Sequence, residues 1–362
     1  MRTLIAGGGT GGHLTPALAV AQALRRADPG GDVLLVGRRG GIEESLVPSS
    51  GLRLETLDVR GIDLGSPLRL PGTALRITRA TAQARGILHR FRPDVVVGAA
   101  GYVSVPVVAA ALLRRVPVVL LEQNAHPGRT TRMFAKRARV VAASFAETAA
   151  QLPGARVVHT GNPVRPEVKA YAGAPLHGSC EHVLVMGGSQ GARRLNDAVA
   201  GSIRHLLADH PALRVTHQCG ARDAEWAVPV RAGLPDDVRE RYTVAPFFDD
   251  IADRIRDADL VVMRAGGSSL AETTVLGRPM ILVPYPYAGA HQADNAVPYV
   301  QAGAALLIPD EECGAERFRG EIARVVDDPA LWRRMAEASR ASGRPDADEA
   351  VAALVREVAG SR

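Results

Sequence analysis

The first residues that could do chemistry form a glycine-rich stretch, GGGTGGH, over residues 7–13. A loop of this kind between a strand and a helix points its backbone amides at a bound anion, most often a phosphate. The spacing of Gly7, Gly9 and Gly12 also satisfies the G-x-G-x-x-G fingerprint of dinucleotide-binding proteins. The second predicted strand, however, ends in Arg38-Arg39 and not in the acidic residue that holds the ribose of NAD. An NADP-dependent oxidoreductase therefore stays open as an alternative.

His13 follows this stretch directly. His13 and Leu14 occupy the positions of the lysine and the hydroxyl residue of a P-loop, which excludes a P-loop. We expect Thr15 to cap the next helix and Pro16 to be its first residue. A histidine beside an anion-binding loop is well placed to act as a general base or as a hydrogen-bond donor to an anion. The alternative is a packed, structural histidine.

Two further glycine turns are predicted to follow strands, over residues 98–102 and 187–191. The second, GGSQG, offers backbone amides and two polar side chains to a diphosphate. Farther along, RAGGSSLAETTVLG at residues 264–277 places Glu272 where a carboxylate could accept both hydroxyls of a ribose. Ser269 and Glu272 also have the spacing of a capping box, in which the glutamate bonds back to its own helix start. The spacing favours neither interpretation.

The acidic pair Asp257-x-Asp259 has the form of a metal-binding motif but precedes a predicted strand. That position lies at the amino end of a parallel sheet, away from the ligand crevice, so we interpret the pair as structural. The cysteines, Cys180, Cys219 and Cys313, are odd in number and far apart, which predicts neither a disulfide framework nor a metal site. A reducing compartment is expected.

Positive charge is concentrated in the first half of the chain. Residues 1–163 carry a net charge of +11 and residues 164–362 a net charge of −5. This asymmetry indicates an anionic partner for the first half, either nucleic acid or a membrane surface. Residues 60–92 interleave leucine and isoleucine with arginine, a pattern typical of an interfacial segment and also of an ordinary basic helix. An aromatic content of 4% argues against nucleic acid.

These residues must be positioned by alternating strands and helices. Apolar, β-branched runs predict strands at residues 3–6, 33–36, 95–97, 118–121, 140–143, 182–186, 215–217, 260–263, 280–283 and 305–308. Longer amphipathic segments, such as 16–27 and 70–91, predict helices between them. The pattern restarts at His182, and 362 residues exceed one ordinary core, so the fold class is α/β with two similar halves. We expect the joint within residues 159–168 and a last helix over about 346–358.

Seven motifs then occur in the order found in one enzyme family: GGTGGH (8–13), GYVSVP (101–106), LEQNAHPG (121–128), TGNPVR (160–165), MGGSQGAR (186–193), RAGGSSLAE (264–272) and HQADNA (291–296). From Leu4 to about Ala304 the sequence resembles the MurG family, the peptidoglycan N-acetylglucosaminyltransferases of glycosyltransferase family 28. The resemblance implies two Rossmann-like domains of the glycosyltransferase-B type that face each other across a cleft. It assigns residues 1–163 to the acceptor and residues 164–340 to UDP-N-acetylglucosamine (UDP-GlcNAc). The helix in residues 341–362 could pack on either half, and packing back on the first domain is one of these two alternatives.

The resemblance also implies roles for individual residues. His13 and Asn124 would face the acceptor and carry the catalysis, with His13 as the base. The acceptor would contact Gly101, Tyr102 and Ser104. The donor would contact Thr10, Gly11, Gly12, Arg165, Ser189, Gln190, Phe248, Ile251, Ser268, Ser269, Glu272, Gln292 and Asn295. Among these, Glu272 would hold the ribose and Phe248 or its backbone the uracil. Ser189 with Arg165 would hold the diphosphate, and Gln292 with Asn295 the sugar hydroxyls.

The implied reaction transfers N-acetylglucosamine with inversion to the 4-hydroxyl of the muramoyl sugar of lipid I, undecaprenyl-pyrophosphoryl-MurNAc-pentapeptide, and so makes lipid II for the cell wall. No tightly bound cofactor or structural metal is expected, and a loosely bound divalent ion stays open. The expected partners are lipid I and the anionic inner leaflet, with no nucleic acid, at the cytoplasmic face of the membrane. A sister glycosyltransferase with another acceptor and a UDP-sugar epimerase are the rival interpretations. Ala100 stands where the family usually has glycine, and His291 and Gly267 also depart from its pattern.

Overall fold

The computed structural model describes residues 1–9, 11–59, 70–176, 178–188, 191–286 and 291–361. The chain divides into two compact units, each with its own parallel sheet. Unit 1 comprises Met1–Arg165 and Pro345–Arg362, and unit 2 comprises Pro166–Arg344. Two α/β units built on parallel sheets confirm the fold class predicted from the strand and helix pattern.

The sheet of unit 1 has the order β3-β2-β1-β4-β5-β6-β7. Its strands are β1 (Arg2–Ala6), β2 (Asp32–Arg38), β3 (Arg53–Leu57), β4 (Val95–Gly98), β5 (Val118–Glu122), β6 (Val140–Ala143) and β7 (Val157–His159). The helices that connect them are α1 (Gly11–Ala27), α2 (Glu43–Ser49), α3 (Leu70–Phe91), α4 (Gly101–Leu113) and α5 (Arg129–Phe134). The central strands are buried along their whole length because helices cover both faces of the sheet.

The sheet of unit 2 has the order β10-β9-β8-β11-β12-β13. Its strands are β8 (His182–Met186), β9 (Arg214–Gln218), β10 (Tyr242–Ala245), β11 (Leu260–Met263), β12 (Met280–Leu282) and β13 (Ala305–Leu307). Its helices are α6 (Pro166–Ala170), α7 (Arg193–Asp209), α8 (Ala224–Val230), α9 (Asp236–Glu240), α10 (Ile251–Asp257), α11 (Gly267–Val275), α12 (His291–Gln301), α13 (Ala315–Val326) and α14 (Pro329–Ser342). β1 lies near the middle of the sheet of unit 1 and leads into the first glycine turn. β8 has the same place in unit 2 and leads into the glycine turn that begins at Gly187.

The last helix, α15 (Ala347–Gly360), packs in unit 1 against α1. Its buried valines, Val351, Val355 and Val358, join the core formed by one face of the first sheet and α1. Arg26 of α1 also forms an ion pair with the buried Asp348 at 2.6 Å. The chain therefore leaves unit 1 after β7 and returns to it after α14.

The predicted start of α1 is wrong. The helix begins at Gly11, so Thr15 does not cap it and Pro16 lies inside it as the sixth residue. Gly8 and Gly9 have positive φ values of 141° and 84°, whereas neither Gly11 nor Gly12 does. The turn is therefore completed earlier than the proline suggested, and the last two glycines enter the helix.

The acidic pair before β11 is structural, as predicted. Asp259 is buried and its Oδ2 accepts the backbone N–H groups of Glu181 and His182, each at 2.9 Å. This contact joins the amino ends of two neighbouring strands, β8 and β11.

Candidate functional site

A cavity of about 890 Å³ opens in unit 2 at the carboxyl ends of its strands. The glycine turn after β8, the start of α7 and the start of α11 contribute to its wall. The cavity is rich in charged side chains, namely Arg193, Arg194, Asp197, Arg222, Asp223, Arg264 and Asp310. With four arginines against three aspartates, its lining suits an anionic ligand.

The glycine turn after β8 is closely packed. A Cβ atom at Gly187 would lie 2.6 Å from the amide nitrogen of Ala192, and one at Gly191 would lie 2.5 Å from the carbonyl oxygen of Cys219. Gly191 also has a φ of 79°. The turn thus brings the uncapped start of α7 to the cavity, where its amides can face a phosphate. The predicted ligands Ser189 and Gln190 lie outside the described residues, as does Thr10 of the first turn.

The start of α11 excludes one of the two interpretations of Glu272, the capping box. The residue that precedes the helix is Gly266, and no side chain caps it. Ser269 is the third residue of the helix and Glu272 the sixth, so the capping box is not formed. Ser269 lines the cavity, while Glu272 is buried one turn farther along the same helix, 5% exposed. Ser268 beside it is half-buried.

Two predicted sugar ligands on α12 have different surroundings. Gln292 lines the cavity, and its Oε1 accepts the backbone N–H of Tyr285 at 2.9 Å, which leaves its NH₂ group as a donor. Asn295 is completely buried, and its Nδ2 donates to the carbonyl oxygen of Ala265 at 3.1 Å. Asn295 therefore supports the turn that leads into α11, with no exposed surface for a sugar.

Phe248 and Ile251 were predicted near the base of the nucleotide. The ring of Phe248 is buried and covered by the Arg254 guanidinium at 4.5 Å, and its backbone N–H donates to Gln218 at 3.2 Å. Ile251 begins α10 and is half-buried. The preceding Phe247 is 57% exposed, so it presents its aromatic ring to solvent.

An ion-paired cluster in the cavity was not predicted. Arg264 donates to Asp310 at 2.5 Å and to the carbonyl oxygen of Val283 at 2.9 Å. Arg194 approaches the other oxygen of Asp310 at 3.3 Å, and Tyr285 lies beside the Arg264 guanidinium. These residues come from the ends of β11, β12 and β13 and from α7, which spacing in the sequence does not relate. Arg264 is the first residue of the RAGG motif, and this position was the one sequence feature that could have indicated the cluster.

Unit 1 holds a second group of polar side chains around His13. The His13 ring donates to the backbone of Gly8 and lies beside Gly101, where a Cβ would be 3.1 Å from Nδ1. Burial lowers the pKa of His13 below its usual value, and the negative charge of Glu122 opposes that shift. The imidazole is therefore neutral at neutral pH and can accept a proton. Tyr102 packs on Gly9 of the same turn.

Glu122, which the sequence did not single out, organises the loop after β5. Its Oε1 accepts the backbone N–H of Asn124 at 3.0 Å and the Asn124 side chain at 3.3 Å. Its Oε2 accepts the backbone N–H of Gly128 at 2.9 Å. The buried carboxylate thus holds Asn124 on the same sheet edge as His13. The sequence feature that could have indicated Glu122 is a charged residue at the end of an otherwise apolar strand.

Ser104 does not offer its hydroxyl to a ligand. The side chain is completely buried, and its Oγ donates to the carbonyl oxygens of Ala6 and Ala100, at 2.8 and 2.6 Å. The predicted acceptor contact at Ser104 is therefore corrected to a contact that joins β1 to the turn before α4. Arg165 is the last residue of the first segment of unit 1 and is half-buried.

Two features are absent from the described residues. No helix among these residues is both long enough and apolar enough to span a membrane. In the same parts of the chain, no three or more His, Cys, Asp or Glu side chains are grouped to hold a metal ion.

Comparisons with family models, related sequences and solved structures all indicate the same family. Residues 3–143 match the glycosyltransferase family 28 N-terminal domain, and residues 182–351 match the family 28 C-terminal domain. The UDP-N-acetylglucosamine--N-acetylmuramyl-(pentapeptide) pyrophosphoryl-undecaprenol N-acetylglucosamine transferases of Desulforudis audaxviator and Anaeromyxobacter sp. are 40% and 41% identical. The alignments cover 99% of both chains in the first case, and 100% of this chain and 94% of the relative in the second.

Solved structures agree. The Acinetobacter baumannii MurG crystal structure is 28% identical, with a TM-score of 0.77 over 98% of this chain and 99% of that one. The UDP-GlcNAc 2-epimerase of Neisseria meningitidis bound to UDP-GlcNAc shares the fold at 13% identity, with a TM-score of 0.69 over 99% of this chain and all of that one. The chain belongs to glycosyltransferase family 28.

Proposed function

We propose that this protein transfers N-acetylglucosamine from UDP-GlcNAc to the 4-hydroxyl of the MurNAc of lipid I and so forms lipid II. The relatives described above are named for this transfer. The observation that carries the proposal is the cavity of unit 2, in which the glycine turn after β8 meets the serine-bearing start of α11. The rival interpretations, another acceptor or an NADP-dependent oxidoreductase, predict different ligands for the two glycine turns.

The donor would be held by unit 2. The diphosphate suits the start of α7 and the cationic side chains around it, Arg193, Arg194 and Arg264. In an inverting transfer, negative charge moves onto the leaving UDP as the bond to C1 of the sugar breaks. Amides and guanidinium groups already oriented toward that charge stabilise it without reorganisation. The NH₂ group of Gln292 would donate to a sugar hydroxyl, and Glu272 would accept from the ribose.

The acceptor would be held by unit 1, with His13 as the base. The attacking hydroxyl must lose its proton as the new bond forms, and the neutral imidazole of His13 can take it. Asn124, Gly101 and Tyr102 would position the muramoyl sugar and its pyrophosphate. Glu122 stabilises the imidazolium that results, because its charge raises the pKa of His13.

We also propose a peripheral position at the cytoplasmic face of the membrane. The first half of the chain carries the positive charge, and α3 presents Arg76, Arg79 and Arg85 at its surface while Ala84 and Leu88 face the core. Each arginine near an anionic leaflet contributes about 1 kcal/mol of attraction. The leucines at residues 64 and 68, which were predicted to enter the interface, lie outside the described residues.

Calorimetric titration with UDP-GlcNAc, UDP-glucose and NADP tests the donor. We expect UDP-GlcNAc to bind most tightly and NADP not to bind, and preferential binding of NADP would overturn the proposal. A radiolabel assay with a lipid I analogue, with analogues that lack the pyrophosphate or the muramoyl sugar as controls, then tests the acceptor. Co-sedimentation with vesicles that contain or lack anionic lipid tests the membrane position, and binding that ignores lipid charge and salt would contradict it.

A further inference from the structure

Glu43, the first residue of α2, is a completely buried carboxylate beside the first glycine turn. Three glycines make room for it. A Cβ at Gly8 would lie 1.8 Å from its Oε1, one at Gly41 would lie 2.0 Å from its Oε2, and one at Gly37 would lie 2.8 Å from its Cβ. These distances exclude a side chain at any of the three positions while Glu43 stays in place.

The carboxylate takes the place that the dinucleotide fingerprint assigns to a phosphate. Its Oε1 accepts the backbone N–H of Gly9 at 2.6 Å and approaches that of Arg38 at 3.4 Å. Within the described residues its Oε2 has no hydrogen-bond partner. Burial of a carboxyl group with an unpartnered oxygen is costly, so a purely structural role would be served better by an apolar side chain.

The turn that Glu43 holds leads directly to the residues proposed for the acceptor. The carbonyl of Gly8 accepts a hydrogen bond from His13. Gly9 lies against Tyr102, since a Cβ at Gly9 would be 2.9 Å from that ring. Both glycines have positive φ, which leaves the turn able to adopt other conformations unless something fixes it.

We propose that Glu43 is a positioning residue of the transfer reaction, whose carboxylate fixes the Gly8–Gly9 turn and thereby holds His13 and Tyr102 in place for the acceptor. The inference rests on the proposed function, because it takes His13 as part of the acceptor site. Glu43 itself has no exposed surface, so it would act through the turn and not by contact with a substrate.

Steady-state kinetics with a lipid I analogue test this role. A displacement of about 1 Å in a reacting group costs on the order of a hundredfold in rate. We therefore expect Glu43→Ala to lower kcat/KM for the acceptor by about 10- to 100-fold. The Kd of UDP-GlcNAc in calorimetry should change much less than this, because unit 1 supplies only Thr10, Gly11, Gly12 and Arg165 to the predicted donor contacts and unit 2 supplies the rest. Glu43→Gln keeps an oxygen for the N–H of Gly9 and should restore most of the activity.

Glu44→Ala is the matched control. Glu44 is the next residue, is exposed, and bonds to Gly40 instead of the turn, so its removal should leave the acceptor kinetics as they are. Wild-type acceptor kinetics in Glu43→Ala would overturn the inference, and so would equal losses in Glu43→Gln and Glu43→Ala. If Glu43→Ala fails to fold, Glu43→Asp replaces it: the shorter side chain keeps the charge but cannot reach Gly9, and unchanged kinetics there would be equally decisive.

His13→Ala separates this inference from the proposed function. An unimpaired His13→Ala protein would contradict the acceptor site itself. An impaired His13→Ala protein beside unimpaired Glu43 variants would contradict only the role of Glu43.

Discussion

His13 is the residue on which the proposed proton transfer depends. Replacing it by alanine should lower kcat by roughly 10²–10⁴-fold, the usual contribution of a positioned general base. UDP-GlcNAc should bind nearly as before, because His13 is not among the predicted donor contacts. Single-turnover measurements with the lipid I analogue check this. A loss of kcat below about tenfold would remove His13 from the role of base.

Glu272 makes the corresponding prediction for the donor. If its carboxylate accepts the ribose hydroxyls, Glu272→Ala should weaken UDP-GlcNAc binding by about 10- to 100-fold, the value of one charged hydrogen bond. Glu321→Ala is the control, since Glu321 is a buried carboxylate of the same unit that pairs with Arg317 and Arg324. Equal Kd values for wild type and Glu272→Ala would leave Glu272 without a role in binding.

A buried hydrogen-bonded chain in unit 2 ends at the cavity. Asn196 donates from Nδ2 to Asp223 at 2.7 Å, so its Oδ1 accepts from Nε2–H of His217 at 2.9 Å. The Nδ1 atom of His217 is then unprotonated and accepts from the Tyr242 hydroxyl at 2.9 Å. Asp223 lines the cavity, and this chain of bonds supports it from behind. The chain requires a neutral imidazole.

Burial accordingly lowers the pKa of His217 to about 4, against the opposing charge of Asp223. The unfolded chain takes up this proton near pH 6.5 and the folded protein does not, so stability falls as the pH drops from about 6.5 toward 4, by about 3 kcal/mol for this group. His217→Gln should make the free energy of unfolding less dependent on pH in that range. Urea unfolding followed by Trp226 and Trp332, the two tryptophans and both in unit 2, measures it. Identical pH dependence in the two proteins would contradict the assignment.

At the level of elements, the turn from β4 into α4 is strained. Ala100 has φ 58° and ψ −170°, a conformation that only glycine adopts readily. Ala100→Gly should therefore raise the free energy of unfolding of unit 1 by about 1 kcal/mol. Calorimetric melting checks the change, with Ala99→Gly as the control because Ala99 has no positive φ. A lower melting temperature for Ala100→Gly would contradict the strain.

Central strands could be predicted from the sequence, whereas three of the four edge strands could not. The fourth edge strand, β13, was predicted at residues 305–308. Buried parallel strands such as β5, VVLLE, are continuous apolar runs that the sequence displays directly. The three missed strands, β3, β7 and β10, all lie at sheet edges, where one side of the strand faces solvent or loops. Their sequences, such as RLETL in β3, mix polar and apolar residues and resemble loop sequence.

The site residues that belong to one turn could be predicted from the sequence. Those whose contacts depend on several elements of the fold could not. The glycine turns and the serines of α11 are local patterns with a local mechanism. Glu43 accepts from Gly9, 34 positions away, and Arg264 pairs with Asp310, 46 positions away, so local spacing indicates neither contact. Glu122 bonds within its own loop, to residues two and six positions farther on, but no known pattern of spacing describes that contact. Ser104 and Asn295 were assigned to ligands because motifs carry no information on burial.

For the whole molecule, α15 gives a prediction about how the units depend on each other. Removal of residues 345–362 would expose apolar core on α1 and on the first sheet, where three valines each contribute about 1.5–3 kcal/mol. Unit 1 should then lose its resistance to limited proteolysis and the acceptor reaction. Unit 2 is contiguous in sequence and should still bind UDP-GlcNAc. Unchanged protease resistance of unit 1 would contradict this dependence.

The return of α15 to unit 1 also determines when the core of that unit can be completed during translation. On the ribosome, residues 1–165 emerge before α15, and the part of the first-sheet core that Val351, Val355 and Val358 cover stays open until α15 follows. All residues of unit 2 are available before that point. The core of unit 1 therefore stays prone to aggregation until α15 has been translated.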